Sequence, residues 1–366
     1  MNRQCVALNY ASHKHYNDHL APISVVMGIP LVVVETEDYE VCKNYYPDLI
    51  VEMTEYHDFN PQYLIEHYDT LFMSDLWDRK VLKNKFKKLE KKYHKCMRNV
   101  HVPHGFSDKG FYIRKAANED ITLVYGQNML DMFRNERVLH NLHQYVVTGN
   151  FRYSYFKMYE AFYDKLMKEK ILSHLESSRK TILYAPTWMD LEKSSTYFDC
   201  IEQLLAKLPR EYNMIVKPHP QLEIDDIAAY YRTLGICEKY SNVLVLTDFP
   251  PIYPILKYSD LYIGDMSSIG YDYLAFNRPM YFINKKNRNP QKDRRSFLFN
   301  CGIDIKIEEV PNIYEIIAET IDSDSDHFTN IRAEVWDYTF GRERSFEEIR
   351  KDIINAIETP IDEPTT

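Results

Sequence analysis

A histidine, a glycine and a lysine follow one of the short apolar runs of the sequence, within Val100–Gly110. His104 can act as a general base near neutral pH. Gly105 lets the backbone turn sharply beside a ligand, and Lys109 can hold a phosphate as a point charge. The segment therefore predicts an acid–base and phosphate site. The alternative, which this segment favours when taken alone, is a Pro/Gly turn with a surface histidine.

A hydroxyl and an aromatic ring end a second segment of this kind, Ile182–Trp188. Pro186 stops the apolar run, so that Thr187 and Trp188 are presented directly after it. A hydroxyl beside an aromatic ring suits a phosphate or a nucleobase. The alternative is a turn that ends a strand and packs its tryptophan.

A third segment, Met214–Pro220, holds a histidine between two prolines. The prolines fix the backbone around His219, and Lys217 lies on the same side if the chain is extended. This lysine and histidine form a candidate anion site. A rigid surface turn is the alternative, but it does not explain why two prolines surround one histidine.

A fourth segment follows the apolar run Leu261–Ile263 and contains Asp265. A helix is predicted to begin at Ser267 or Ser268, whose side chains would cap its first N–H groups. Such N–H groups also bind anions, and Asp272 would lie one turn further along the same face. The alternative is an ordinary helix cap, which does not explain why four similar segments occur in one chain.

Parallel strands are the elements that position these four segments. Short, β-branched runs that are apolar on both faces are typical of parallel strands, and their alternation with amphipathic stretches predicts open α/β sheets with helices on both faces. Ligands bind beyond the carboxyl ends of such strands, where all four segments fall. The predicted strands are Cys5–Asn9, Pro30–Val34, Asp48–Val51, Thr70–Met73, Val100–Val102, Ile121–Val124, Tyr145–Val147, Thr181–Ala185, Asn213–Val216, Val243–Leu246, Leu261–Ile263, Met280–Ile283 and Ile303–Ile307. The predicted helices are Lys14–Met27, Arg79–Met97, Tyr155–Leu175, Tyr197–Leu208 and Ser345–Glu358.

The strand–helix repetition pauses near Gly149, and a predicted helix then leads into a new strand. We therefore predict two Rossmann-like domains, residues 1–150 and 151–344. Residues 345–366 form a C-terminal helix and a polar tail. Whether this last segment packs back on the N-terminal domain is left open.

Two stretches are strongly basic. Arg79–Arg98 carries eight lysines and two arginines against one glutamate, on a predicted amphipathic helix whose apolar positions are Leu82, Phe86, Leu89 and Tyr93. One interpretation is docking on an anionic membrane or a phosphate-rich polymer, and the other is a helix that packs on the first sheet and leaves a solvated cationic face. Lys285–Arg295 is a basic loop, which either closes over nucleotide phosphates or is simply charged. The candidate docking residues are Lys83, Lys87, Lys88, Lys91, Lys92 and Lys95.

Composition excludes several classes of protein. The chain has 366 residues, of which 45% are hydrophobic, so it can bury a full core. It has no run of about 18 apolar residues, as a membrane span requires, and its net charge of −9 argues against nucleic-acid binding. The six cysteines form no C-x-x-C pair, which excludes a common zinc or redox signature, and no signal-peptide core is present. We expect a cytoplasmic protein without a dedicated metal site.

Taken in order, these segments resemble the CDP-glycerol glycerophosphotransferase family, which comprises teichoic-acid primases and polymerases. The family's H-G-T-P-x-K motif differs here at Phe106–Asp108, which bears on the choice of acceptor. The matching positions cover nearly the whole chain. They are His104, Gly105 and Lys109; Thr148, Gly149 and Arg152; Ala185–Trp188; Lys217, His219 and Pro220; Asp265, Ser267, Ser268 and Asp272; and Arg278 with Pro279.

The resemblance implies the GT-B fold, in which two Rossmann-like domains with parallel sheets face each other across a cleft. It implies an N-terminal acceptor domain and a C-terminal nucleotide-donor domain. The implied reaction is attack by a hydroxyl of a lipid-linked saccharide or polymer on the β-phosphorus of a CDP-linked polyol, with release of CMP. The acceptor implies a position at the inner face of the cell membrane. No tightly bound cofactor is implied, while a divalent cation that accompanies the donor and the oligomeric state stay open.

The same resemblance assigns roles to the candidate residues. His104 would be the base, with His219 beside the donor, although the two roles could be exchanged, and Asp272 would orient a histidine or bind the polyol. The alternatives are a GT-B nucleotide-sugar glycosyltransferase, a UDP-sugar 2-epimerase-like enzyme, or a degenerate binding scaffold. Substrate and nucleotide contacts fall on Gly105, Lys109, Thr187, Trp188, Lys217, Asp265, Ser267 and Ser268.

Overall fold

A computed structural model describes residues 4–10, 14–76 and 79–360, without the side chains of residues 58 and 111. The chain divides into two units. Unit 1 comprises the described residues of Met1–Phe106, Gly110–Tyr155 and Thr339–Thr366. Unit 2 comprises Ser107–Lys109 and Phe156–Tyr338.

Seven parallel strands form the sheet of unit 1 in the order β3-β2-β1-β4-β5-β6-β7. At its centre, Ala7 lies opposite Leu31 on one side and Phe72 on the other. All three side chains are buried, as expected for a sheet that is covered on both faces. The order reverses direction between β1 and β4, which creates a topological switch point. The strands are β1 (Cys5–Asn9), β2 (Leu31–Val33), β3 (Val51–Met53), β4 (Thr70–Met73), β5 (Arg98–His101), β6 (Ile121–Val124) and β7 (Gln144–Val147).

Helices cover this sheet and close its core. Phe86 of α4 packs with Val6, Leu71 and Met97 in one buried cluster. The C-terminal helix α15 lies against α1 and β7. It belongs to unit 1, whereas the polar tail 361–366 is outside the described residues. The helices of both units, in chain order, are α1 (Asn17–Met27), α2 (Thr36–Tyr45), α3 (Pro61–His67), α4 (Arg79–Tyr93), α5 (Gln127–Asn135), α6 (Phe151–Met158), α7 (Glu160–Lys170), α8 (Tyr197–Ala206), α9 (Gln221–Asp225), α10 (Ile227–Cys237), α11 (Ile252–Lys257), α12 (Ile269–Tyr273), α13 (Ile313–Thr320), α14 (Asp324–Phe340) and α15 (Phe346–Glu358).

Six parallel strands form the sheet of unit 2 in the order β10-β9-β8-β11-β12-β13. Ile263 at its centre lies opposite Tyr184 and Tyr281, and all three side chains are fully buried. The order again reverses, here between β8 and β11, so unit 2 has its own switch point. The strands are β8 (Lys180–Tyr184), β9 (Tyr212–Val216), β10 (Val243–Val245), β11 (Leu261–Gly264), β12 (Met280–Asn284) and β13 (Ile303–Lys306).

The predicted strands all overlap observed ones, whereas two helix predictions were wrong in extent. The predicted helix Tyr155–Leu175 is broken into α6, α7 and a 3-10 turn at Leu172–His174. The predicted helix over Arg79–Met97 ends at Tyr93, because His94 adopts a left-handed φ of 51°. No helix in the described part of the chain is long and apolar enough to cross a bilayer.

The unit boundaries differ from those drawn from the sequence. The chain leaves unit 1 after Tyr155 and returns at Thr339, rather than after residues 150 and 344. Both crossings lie inside continuous helices, α6 and α14, where no sequence pattern marks a break. In addition, Ser107–Lys109 belongs to unit 2, although it lies far from the rest of that unit in sequence.

Candidate functional site

Lys109 joins the segment that follows β8 in unit 2. Its Nζ donates to Thr187 Oγ1 at 2.6 Å and pairs with Asp190 at 2.8 Å. The same Nζ lies 5.9 Å from the centre of the Trp188 ring. The structure thus brings Lys109, Thr187 and Trp188 together, as candidate ligand-binding residues would require. The ammonium group is buried and has a protein counter-charge.

Asp190, which sequence reasoning missed, organises the loop after Trp188. Its carboxylate accepts the backbone N–H groups of Glu192 and Ser194, each at 3.0 Å. Burial alone would raise the pKa of Asp190, but the Lys109 ammonium and the Ser194 hydrogen bonds lower it below its usual value. The only local signal was an aspartate four residues before a serine, which is too common to single out.

Asp265 lies beneath the same loop, at the carboxyl end of β11. Its oxygens accept the N–H of Thr187 at 2.8 Å, and the N–H and hydroxyl of Thr196, both at 2.9 Å. Burial raises the pKa of Asp265 to about 6, against the opposing effects of Lys109 and these hydrogen bonds. Asp265 therefore positions Thr187 and its loop.

His219 begins the turn after β9, and its protonation is set by its neighbour. The backbone N–H of Gln221 donates to His219 Nδ1 at 3.1 Å. Since Nδ1 accepts, the proton of the neutral ring is on Nε2. The His219 ring lies 6.4 Å from the Trp188 ring, and half-buried Lys217 precedes it. The third predicted segment therefore lies beside the second.

The fourth predicted segment, which includes Ser268 and Asp272, lies at the start of helix α12. Helix α12 begins at Ile269, and Ser268 makes no side-chain cap, while Ser267 Oγ accepts from the Ile269 N–H at 3.4 Å. The predicted start of the helix after Ser267 and Ser268 is confirmed, with Ser267 and not Ser268 contacting its first N–H, while the anion site at this helix stays a prediction. Asp272 is buried and accepts the Tyr253 hydroxyl at 2.7 Å.

Asp108 anchors the Ser107–Lys109 segment within unit 2. It accepts the Tyr271 hydroxyl at 2.6 Å, an Arg294 N–H at 2.5 Å and the Leu298 N–H at 2.9 Å. Burial raises the pKa of Asp108, although Arg294 opposes this effect. No pattern in the sequence links these distant residues. The anchor holds the residue next to Lys109.

The basic loop Lys285–Arg295 forms ion pairs with acidic side chains. Arg288 donates to Glu192 at 2.6 Å and Arg295 to Asp293 at 2.8 Å. Lys285 pairs with Asp199 and donates to the Ser195 carbonyl. These contacts join the loop to the segment after β8, so several of its cations have protein partners.

In unit 1, His104 follows β5 and its ring is exposed. Its Nδ1 lies 3.2 Å from the Ser74 carbonyl oxygen, which can only accept, so Nδ1 carries the proton and Nε2 has the lone pair. Gly105 has a φ of 102°, a conformation that favours glycine, and its N–H donates to the Tyr125 hydroxyl. The turn thus fixes the His104 backbone.

Two further histidines lie beside His104, and sequence reasoning missed both. The ring centres of His15 and His19 are 6.2 and 6.5 Å from that of His104, and the Tyr16 ring is 5.0 Å away. Burial, then Arg152 and the other two histidines, lower the pKa of His19 well below its usual value. The available signal was the four-residue spacing of His15 and His19 just after β1.

Arg152 fixes the start of α1. Its Nε donates to the Asp18 carbonyl at 3.0 Å, and its guanidinium pairs with the Asp18 carboxylate. Thr148 Oγ1 donates to the Val124 carbonyl, and Gly149 has a φ of 66°. The Thr148–Arg152 segment therefore secures the helix that carries His19.

The basic helix α4 uses its apolar stripe for packing. Phe86 is buried in the unit 1 core, and Leu82, Leu89 and Tyr93 pack against it. Two of the six candidate docking lysines have partners within unit 1. Lys83 binds Asp120 at 2.7 Å, and Lys95 donates to the Ile65 carbonyl at 2.9 Å. The exposed members are Lys87, Lys88, Lys91 and Lys92.

Within residues 4–10, 14–76 and 79–360, no three His, Cys, Asp or Glu side chains are grouped to hold a metal ion.

Two curated relatives match part of the chain. Over 117 residues it is 32% identical to the teichoic acid glycerol-phosphate primase of Bacillus subtilis strain 168, covering 31% of this chain and 28% of that protein. Over 108 residues it is 32% identical to the teichoic acid ribitol-phosphate primase of Bacillus spizizenii, covering 28% and 25%. The chain thus spans about a quarter of the length of the curated relatives it matches.

Solved structures match nearly the whole chain at low identity. The wall teichoic acid polymerase TagF superposes with a TM-score of 0.65 and 14% identity over 97% of this chain and 90% of that one. The UDP-GlcNAc 2-epimerase from Neisseria meningitidis, bound to UDP-GlcNAc, gives 0.57 and 10% over 96% and 99%. These matches confirm the GT-B fold class, but two different activities share it.

A match to a family model distinguishes between these two activities. The model for CDP-glycerol:poly(glycerophosphate) glycerophosphotransferase matches residues 78–339, more than two thirds of the chain. This range includes the lysine, threonine, tryptophan and histidine segments of unit 2, together with His104. The chain belongs to the CDP-glycerol:poly(glycerophosphate) glycerophosphotransferase family.

Proposed function

We propose that the chain transfers a polyol-phosphate unit, such as glycerol phosphate, from a CDP-linked donor to a hydroxyl of a lipid-linked saccharide or polymer. CMP is the second product. Family membership supports the reaction class. The matched relatives are named for glycerol phosphate and for ribitol phosphate, so either polyol fits the donor.

The observation that carries this proposal is the opposite protonation of two imidazoles. His104 donates through Nδ1 and keeps a lone pair on Nε2, whereas His219 accepts at Nδ1 and keeps its proton on Nε2. The first arrangement suits a general base and the second a hydrogen-bond donor. We therefore assign the base to His104 and the donor contact to His219.

In the proposed reaction, His104 Nε2 takes the proton of the acceptor hydroxyl. The hydroxyl oxygen bonds to the β-phosphorus, and the bond from that phosphorus to the bridging oxygen breaks, so CMP leaves with the bond's electron pair. His219 Nε2–H donates to a diphosphate oxygen, and Lys217 supplies positive charge, while Lys109, whose charge is balanced by Asp190, holds Thr187 in place. Phosphoryl transfer depends mainly on such alignment and charge stabilisation.

The test is turnover of the purified full chain with CDP-glycerol and a lipid-linked glycerol-phosphate acceptor, with Mg²⁺ and with EDTA. His104→Asn keeps a donor near Nδ1 but removes the Nε2 lone pair, so turnover should fall by about a hundredfold or more. His219→Gln places an amide N–H near the Nε2 position and should retain more activity than His219→Ala. Unchanged turnover in His104→Asn would contradict the assignment.

Nucleotide preference separates this function from the UDP-sugar alternative. Any ligand that binds the native state raises the melting temperature. CMP and CDP should therefore raise it more than UDP or GDP at equal concentration. A larger effect of UDP would favour the epimerase or glycosyltransferase alternative instead.

We also propose peripheral contact with the anionic inner face of the cell membrane. Lys80, Lys85 and the four exposed docking lysines lie on α4, whose apolar stripe is packed in unit 1. Such a helix attracts anionic lipid through charge without inserting an apolar face.

A further inference from the structure

Tyr125 binds the backbone on both sides of the candidate base His104. This tyrosine directly follows β6, the strand that lies beside β5 in the sheet of unit 1. Its hydroxyl donates to the Pro103 carbonyl at 2.9 Å and accepts the Gly105 N–H at 3.3 Å. One buried oxygen is therefore bound to the two peptide groups that flank His104.

These two hydrogen bonds restrain the backbone angles of His104. Each residue has two soft backbone angles, φ and ψ, which set how its flanking peptide planes are turned about the Cα atom. A hydroxyl that is bound to both planes restrains both angles and, with them, the direction of the Cα–Cβ bond. At the other end of the side chain, His104 Nδ1 lies 3.2 Å from the Ser74 carbonyl oxygen. The imidazole is thus held both from its backbone and from its ring.

The Tyr125 ring is itself tightly packed. Its side chain is 1% exposed. The Phe151 ring stacks on it with centroids 6.1 Å apart, and the Phe340 ring packs edge-on at 5.5 Å. The next residue is Gly126, where an added Cβ atom would lie 2.5 Å from the Thr339 carbonyl oxygen. A support as rigid as this keeps a catalytic side chain in its productive geometry.

Packing alone does not account for the Tyr125 hydroxyl. A phenylalanine would fill the same space between the two aromatic rings. It would also avoid the cost of burying a hydroxyl, which is unfavourable unless the hydroxyl is hydrogen-bonded. The two partners of the hydroxyl both belong to the bend that carries His104, so its role concerns that bend.

We propose that Tyr125 is a positioning residue for the transfer reaction, whose hydroxyl fixes His104 in the orientation that a base requires. This inference rests on the proposed function, because it concerns the base of that reaction. Misplacement of a reacting group by about 1 Å can lower a rate by about a hundredfold. Loss of the hydroxyl should therefore lower kcat, whereas binding of the CDP-linked donor, which is assigned to His219 and Lys217, should not change.

The test is Tyr125→Phe in the purified full chain, assayed with CDP-glycerol and a lipid-linked glycerol-phosphate acceptor. This variant keeps the ring and its packing and loses only the two hydrogen bonds. We expect kcat to fall by about tenfold or more, and the KM for CDP-glycerol to stay within about twofold. An unchanged kcat would overturn the proposal.

Tyr155→Phe is the matched control. Tyr155 is also a buried tyrosine of unit 1, and its hydroxyl donates to the Pro47 carbonyl at 2.7 Å. Both variants should lose some thermal stability, because each loses a buried hydrogen bond. Only Tyr125→Phe should lose kcat. Equal losses of kcat would mean that general loosening of unit 1 is the cause, and the proposal would fail.

The tautomer of His104 gives a readout that lower stability alone would not change. Nitrogen–proton correlation spectra of protein with ¹⁵N-labelled histidine report which nitrogen of the neutral ring carries the proton, and His104→Asn identifies the His104 signals. In wild type the proton should be on Nδ1, opposite the Ser74 carbonyl. In Tyr125→Phe part of it should move to Nε2. A lower kcat with an unchanged tautomer would show that Tyr125 acts through another group.

A second replacement covers the case in which phenylalanine prevents folding, which a thermal melt reports. The amino group of para-aminophenylalanine at position 125 can still donate to the Pro103 carbonyl. This variant should retain most of the wild-type kcat, and a loss of about tenfold or more would overturn the proposal. If wild type releases no CMP, the proposed function fails and the catalytic role of Tyr125 fails with it, whereas the spectra still show whether the hydroxyl orients His104.

Discussion

Single hydrogen bonds decide the chemistry available to the imidazoles. The Ser74 carbonyl, which only accepts, and the Gln221 N–H, which only donates, give His104 and His219 opposite tautomers. Both partners are backbone groups, so their identity does not depend on a side chain that sequence motifs would display. The sequence could therefore indicate the two histidines but not the different hydrogen bonds that their Nδ1 atoms make.

Asp265 should make stability depend on pH. Its pKa of about 6 in the folded protein lies above the unfolded value of about 3.9, so the folded state holds this proton to higher pH. Protonated Asp265 contributes most to the free energy of unfolding below about pH 4. About 3 kcal/mol of this contribution is lost as the pH rises through 6. Denaturant unfolding at pH 4.5 and 7.5 should show about 2 kcal/mol of this loss in wild type and none of it in Asp265→Asn. An identical pH dependence in both proteins would contradict it.

Removing only one partner of the Lys109–Asp190 pair should strongly lower the free energy of unfolding. Both side chains are nearly fully buried, at 4% and 0% exposure. Lys109→Met leaves the Asp190 carboxylate buried without its counter-charge, and unfolding should become easier by about 3–5 kcal/mol. Lys109→Met combined with Asp190→Leu should recover part of this loss. Equal destabilisation in the single and double variants, measured by chemical denaturation, would show that the pairing is not the cause.

Among the elements, helix α4 has two faces with different surroundings. Its apolar stripe, centred on Phe86, is used by the core of unit 1, and its opposite face carries lysines. Periodicity predicted the stripe because helix faces repeat at 3.6 residues. It could not predict that Lys83 and Lys95 bind unit 1 groups, because those partners lie about 30 residues or more away in sequence.

Charge reversal on α4 should weaken membrane binding. Each lysine near an anionic surface contributes about 1 kcal/mol, so Lys87→Glu with Lys91→Glu should lower affinity for phosphatidylglycerol-containing vesicles by about thirtyfold or more. Binding should also fall steeply with salt. The matched control is Lys165→Glu with Lys168→Glu, two exposed lysines of α7. Similar losses in both pairs, measured by vesicle sedimentation, would contradict a specific role for α4.

For the whole molecule, the parallel sheets were predictable because each buried strand is a local apolar run. Side-chain contacts between residues far apart in the sequence were not predictable. Lys109 and Thr187 are 78 residues apart, and Asp108 and Arg294 are 186 apart, yet each pair lies within unit 2. No local periodicity records such contacts. The motifs indicated the candidate residues, but the loop contacts of Asp108 and Asp190, and the position of His15 and His19 beside His104, could be found only in the folded chain.

Because the C-terminal part of the chain returns to unit 1, the stability of unit 1 should depend on the last helix, α15. Ile353 of α15 is fully buried, whereas its neighbour Ile354 is 37% exposed. Ile353→Ala should therefore destabilise unit 1 by about 2–5 kcal/mol, since it removes packing and leaves a cavity. Ile354→Ala should change stability by no more than about 0.5 kcal/mol. Hydrogen exchange should show the loss in β7 and α1, which contact α15, and not in the strands of unit 2. Equal effects of the two alanines would mean that α15 does not complete the core of unit 1.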